Sequence, residues 1–153
     1  MLFILSMLLT GCGIDNGFAG FTGDEYYRLL TNDSSKVWKK NLEKLEGKAL
    51  DSDICQDLTL LEFGKKDDFS QTLYFKVKLD PKSCGDNSSV LDSGTWMLSI
   101  NSPDPIPTDT ILFISGSDTT MKWILEISAL NLTLESELNG EEFTESYFSV
   151  EGL

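Results

Sequence analysis

The chain of 153 residues contains no histidine. That absence removes every Ser-His-Asp or Cys-His catalytic arrangement and every histidine-ligated metal site. Basic residues are scarce: 12 Lys and Arg stand against 25 Asp and Glu, a net charge of −13. Such an excess works against nucleic acid as a partner and against an electrostatic hold on anionic lipid. Proline (4) and cysteine (3) are few, and no apolar run reaches the roughly 20 residues of a membrane-spanning helix. No Gly-rich phosphate loop, dinucleotide fingerprint or metal-ligand run occurs. The composition is otherwise that of an ordinary globular domain.

The first informative stretch is at the start. Met1–Leu9 is uncharged and apolar apart from Ser6, and it leads into Leu9-Thr10-Gly11-Cys12. A run this short fits the apolar region of a secretory signal. Its last four residues resemble the lipobox of bacterial lipoproteins, which implies cleavage before Cys12 and transfer of diacylglycerol to the Cys12 thiol. The basic residues usual ahead of such a run are missing. The expected organisation is a signal peptide over 1–11, a lipidated tether over 12–23 with Gly13, Gly17, Gly20 and Gly23, and one folded domain over 24–153. Gly13 rather than Asp follows the acylated cysteine, so the inner-membrane retention signal is absent. Attachment to the outer membrane of the cell envelope is expected, with the membrane held through the lipid on Cys12.

After the tether, Asp24–Leu30 reads as a short helix with Asp24 as its N-cap and Tyr26, Tyr27, Leu29 and Leu30 toward the domain. From Lys36 the pattern is period two. Leu73, Phe75, Val77 and Leu79 alternate with Thr72, Tyr74, Lys76 and Lys78. Trp96, Leu98 and Ile100 share a face, as do Trp123, Leu125 and Ile127, and Leu130, Leu132 and Leu134. Weaker strand signals lie at Val37–Leu42, Leu58–Phe63, Thr110–Ser115 and Phe143–Val150, while Asn41–Leu50 suits either strand or helix. Turn signals such as Gly116-Ser117-Asp118 and Asn139-Gly140 separate them. About eight short antiparallel strands favour a single up-and-down barrel, with a two-sheet sandwich as the alternative. On that register Leu73, Phe75, Val77, Trp96, Leu98, Ile100, Trp123, Leu125 and Ile127 point inward, and Met97 and Ile124 point outward.

Once Cys12 is lipidated, Cys55 and Cys84 form an even pair in an exported chain, where disulfides persist. A bridge closing a loop of about 30 residues contributes on the order of 3–4 kcal/mol. Asp51, Asp53, Asp57 and Glu62 fall at calcium-loop spacing, but Gln56 occupies the place that requires glycine. No metal and no cofactor is expected. Paired carboxylates of a hydrolase leave no motif that could identify them.

Ser34-Ser35-Lys36-Val37-Trp38, Cys55-Gln56-Asp57 leading to Phe63, Gly94-Thr95-Trp96-Met97-Leu98, and Trp123-Ile124-Leu125-Glu126-Ile127 before Leu130–Leu134 occur in that order. Together they resemble the lipocalin-like lipoproteins of Bacteroidetes-type bacteria over residues 25–134. The Gly-x-Trp that marks the first strand of typical lipocalins is here Lys36-Val37-Trp38, without the glycine, and Gly94–Trp96 is expected to start a strand. The resemblance implies an eight-stranded barrel whose mouth takes a small hydrophobic ligand, so the expected contacts are Phe75, Trp96, Leu98, Trp123 and Leu125. The expected role is non-enzymatic binding. The alternative is a structural or interaction lipoprotein, its barrel filled by its own side chains, that contacts envelope proteins or glycans. Cys12→Ser is predicted to abolish acylation and membrane partitioning. Intact-mass analysis of protein from its host will show the loss of the acyl mass.

Overall fold

The computed structural model describes residues 22–50, 59–65, 72–80, 90–100 and 109–150. Cys12, Cys55 and Cys84, the signal segment, and Asp51, Asp53 and Asp57 lie outside the described residues.

A single helix, α1 (Gly23–Thr31), precedes the strands. Its N-cap is Thr22 rather than Asp24: Thr22 and Glu25 form a reciprocal capping box, which satisfies two amide donors at once. Asn32 ends the helix in the left-handed conformation. The strands are β1 (Ser35–Leu45), β2 (Lys48–Ala49), β3 (Thr59–Lys65), β4 (Leu73–Leu79), β5 (Val90–Ile100), β6 (Asp109–Ser115), β7 (Asp118–Ile127), β8 (Asn131–Leu138) and β9 (Glu141–Ser149). Each of β3 to β9 pairs antiparallel with its neighbour, β3 pairs with β1, and β9 returns to β1 from Trp38↔Ser149 to Leu45↔Phe143. The result is a closed eight-stranded up-and-down barrel, with β2 a two-residue stub against Lys44 and Leu45. Closure leaves no long edge to template aggregation. The ambiguous segment 41–50 is therefore strand and hairpin, turned by Glu46 and Gly47 at positive φ. Asn139-Gly140 turns β8 into β9 the same way.

Inward positions alternate with outward ones along each strand. Trp38, Leu61, Phe63, Phe75, Trp96, Ile111, Phe113, Leu132 and Leu134 are buried in the interior. Phe63 meets Trp96 edge-on at 5.1 Å and Phe75 meets Phe113 at 5.0 Å, the geometry aromatic quadrupoles prefer. Outward positions carry charge: Glu62 bonds Lys78 (2.5 Å) and the Tyr74 hydroxyl (2.7 Å), and Lys39 bonds Asp80 (2.5 Å). An apolar interior inside a charged wall is the reverse of a lipid-embedded barrel. Among the described residues no helix is long and apolar enough to cross a membrane.

The helix closes one end of the barrel. Leu30 is fully buried, Tyr26 nearly so, and the Trp38 indole donates to the Leu30 carbonyl at 3.2 Å. The Lys36 ammonium donates to the carbonyls of Leu29 (3.1 Å) and Ala129 (2.7 Å) and lies 4.1 Å from the centre of the Trp38 ring. At this end Asp109 is also buried. Burial and that facing carboxylate push the Tyr26 phenol well above its ordinary range.

Besides the N-cap, other expectations fail. Gly94 lies inside β5 rather than at its start, at a close approach to β6 where a Cβ would stand 1.9 Å from the Ile114 carbonyl oxygen. The inward register expected on β7 is inverted over Trp123 and Leu125. Leu125 is 55% exposed, and Ile124 packs on the core. A bulge between Ile124 and Glu126 inserts one residue, so Ile124 and Ile127 both face in despite their odd spacing. On β4 and β5 the register holds: Phe75 and Trp96 are buried, Leu73, Val77 and Leu98 pack on the core, and Met97 is exposed. Leu130 is exposed as well. Truncating Trp96 to Ala is predicted to cost about 3–5 kcal/mol. Leu125→Ala is predicted to change stability by less than about 0.5 kcal/mol. Urea unfolding of both variants measures the difference.

Candidate functional site

The interior divides into two halves with different filling. At the helix end, Trp38, Phe63, Trp96 and Leu30 close-pack. At the other end, where β1 and β4 finish and β7 and β9 begin, the barrel encloses a cavity of about 310 Å³. Its lower wall is apolar: Leu61 from β3, Phe75 and Val77 from β4, and Phe113 from β6. Thr59 and Thr120 flank it, and Asp92 stands at the rim.

Across from the apolar wall lies a polar network built by strand alternation. Lys40 follows Trp38 on the inward face of β1, and Glu145 and Tyr147 alternate inward on β9. A bulge between Lys40 and Leu42 then shifts parity, bringing Glu43 into register with Glu145. Glu145 is the hub. It bonds the Lys122 ammonium through Oε2, accepts from the Tyr147 hydroxyl through Oε1 at 3.0 Å, and lies 3.8 Å from the Lys40 ammonium. Lys40 also bonds Glu43. Lys40, Glu145 and Tyr147 are all less than a tenth exposed. Burial, followed by the Glu145 charge, drives the Tyr147 phenol well above its ordinary range, so it remains a neutral donor. Two ammonium groups and two carboxylates balance. The network therefore presents donors and acceptors without net charge, which suits a polar but uncharged group better than a bare anion.

Of the five residues expected to contact a ligand, only Phe75 lines this cavity. Trp96 sits at the closed end, stacked on Tyr27 at 6.2 Å and edge-on to Phe63. Leu98 packs partly on the same core, Trp123 lies on the outer side of β7, and Leu125 is exposed. The expected contacts left out Leu61, Phe113 and every member of the polar network, and also Val77, although Val77 was expected to point inward. Lys40 was within reach: it sits two residues from Trp38, hence on the same face. The alternation Phe143, Glu145, Tyr147 carried the same signal on β9.

A second depression of about 350 Å³ lies outside the barrel beside α1. Charged surface residues dominate it, and its lysine, Lys36, is already engaged by two carbonyls. Among the described residues no group of three acidic or sulfur side chains could hold a metal ion.

No protein-family model matches the chain, and a search of curated proteins finds no match.

Removing the hub takes from Lys122 its carboxylate inside the barrel and leaves Lys40 with Glu43 alone. Glu145→Leu is therefore predicted to destabilise the protein by about 3–5 kcal/mol. Arg28→Ala breaks only the exposed pair with Asp33 (3.8 Å) and is predicted to cost less than about 1 kcal/mol. Denaturant titration at neutral pH compares the two.

Proposed function

We propose that this protein is a lipid-anchored lipoprotein of the outer envelope whose barrel carries a small hydrophobic ligand in the cavity at its mouth. The carrying observation is the unequal filling of the interior. Buried aromatic and aliphatic side chains fill the half beneath the helix, while the other keeps about 310 Å³ open between an apolar wall and a self-neutralised polar network. Concave sites of this size, mostly apolar with a few converging polar groups, are the usual form of small-molecule pockets. The ligand places an apolar body on Leu61, Phe75, Val77 and Phe113, and an uncharged polar end against Lys40, Glu145 and Lys122. The Leu9–Cys12 motif supports the anchor, which holds the barrel at a membrane surface where such molecules partition. The role is carriage or sequestration rather than chemistry. The alternative, a scaffold with a filled barrel, is disfavoured by the open half.

The neutral fluorophore N-phenyl-1-naphthylamine tests this reading. Wild-type protein is expected to bind it at one site with enhanced emission. Val77→Trp, which fills the cavity from the apolar wall, is expected to weaken binding at least about tenfold, equivalent to 1.4 kcal/mol. Leu125→Ala, on the outside, is expected to leave affinity unchanged. Absence of binding by wild type, or indifference to Val77→Trp, overturns the proposal.

A further inference from the structure

The barrel wall has a parting beside this cavity. Strands β7 and β8 pair at Ile127↔Leu132, Glu126↔Thr133, Ile124↔Leu134 and Trp123↔Glu135, and there the ladder stops. The same register continued toward the mouth would join Lys122 to Ser136 and Met121 to Glu137, yet those pairs do not form. On their other sides both strands are complete. β7 stays bonded to β6 as far as Ser115↔Asp118, and β8 to β9 as far as Leu138↔Glu141. The β6–β7 and β8–β9 hairpins therefore separate at their tips. Among the described residues, this is the one place where two neighbouring barrel strands both continue for three residues without a ladder between them.

An open volume of about 450 Å³ occupies the parting. It is lined from both faces of the wall: Met121 and Trp123 come from the outer face of β7, and Thr120 and Lys122 from the inner. Thr120 and Lys122 line the central cavity too, so slot and cavity share this stretch of β7 as a wall. The lips are apolar, with Met121 45% and Leu138 46% exposed. Among the described residues the rest of the wall is closed by strand ladders, whereas no strand pairing spans this gap.

We propose that this slot is the passage through which the ligand reaches the cavity. It admits a slender apolar molecule that slides over Met121, Trp123 and Leu138 and turns inward past Lys122. The inference rests on the cavity reading above and adds the route and the shape of molecule the route accepts.

Stopped-flow uptake and release of N-phenyl-1-naphthylamine test it with two variants that act in opposite directions. Ser136→Trp narrows the slot, while Met121→Ala combined with Leu138→Ala widens it. The narrowed variant is expected to slow association and release together by about tenfold, and the widened one to speed both. Equilibrium affinity is expected to stay within about twofold in each, because a passage belongs to neither end state. If wild type binds the probe and both variants keep wild-type rates, the slot is overturned and the cavity stands. A change in affinity in proportion to the rates also overturns it, since the residues are then part of the bound site. No uptake by wild type overturns the cavity and the slot with it. Should circular dichroism show that Ser136→Trp is unfolded, the widened variant decides alone: unchanged rates there overturn the passage.

Discussion

Strand β1 turns Lys36, Trp38 and Lys40 into the barrel, and most of the architecture depends on that one alternation. Lys36 holds the end of α1 and the Ala129 turn through their carbonyls, Trp38 anchors the packed half, and Lys40 enters the polar network of the open half. The same strand closes the barrel against β9. A slip of one residue would expose all three side chains and turn Val37 and Lys39 inward. Burying two lysines on one strand is costly unless each ammonium is met. Carbonyls and an indole ring meet Lys36, and two carboxylates meet Lys40.

The fold was legible because its signals are local. Period-two alternation located β4, β5 and β8, and Asn139-Gly140 fixed a tight hairpin whose positive φ values suit those residues. Even the helix cap was written in Thr22 and Glu25, three apart, although Asp24 is the residue that draws the eye. The site was less legible. A charged residue at an alternating position is read as outward by default, and Lys40, Lys122 and Glu145 were assigned no face. Only the closed geometry shows that they meet one another. The β7 error has a different cause. Trp123, Leu125 and Ile127 are perfectly spaced for one face, but the bulge at Leu125 places the first two outside and the third inside. A bulge is defined by its partner strand and leaves no mark in its own sequence.

The bulges also explain why the two halves differ. At the closed end, Ile124 and Ile127 both reach the core across the β7 bulge, adding apolar volume beside Leu132 and Leu134. At the mouth, the bulge after Lys40 admits Glu43 on the same side as Lys40 and Glu145. Two irregularities thus sort the interior, directing aliphatic groups to one end and carboxylates to the other.

The polar network has a mechanical consequence at the mouth. Lys122 belongs to β7 and Glu145 to β9, so their ion pair reaches past β8, the strand whose ladder to β7 has stopped. Lys40 of β1 extends the chain of charges across the closing seam. Side-chain bonds on the inner face therefore tie the two hairpins where backbone bonds in the wall do not. A backbone ladder would have sealed the wall. A side-chain bridge holds the same strands together and still leaves room beside it, because an ammonium on a four-carbon stem can turn aside without unpairing a strand. The charges that keep the interior from packing solid are the same ones that let the barrel remain closed around an opening.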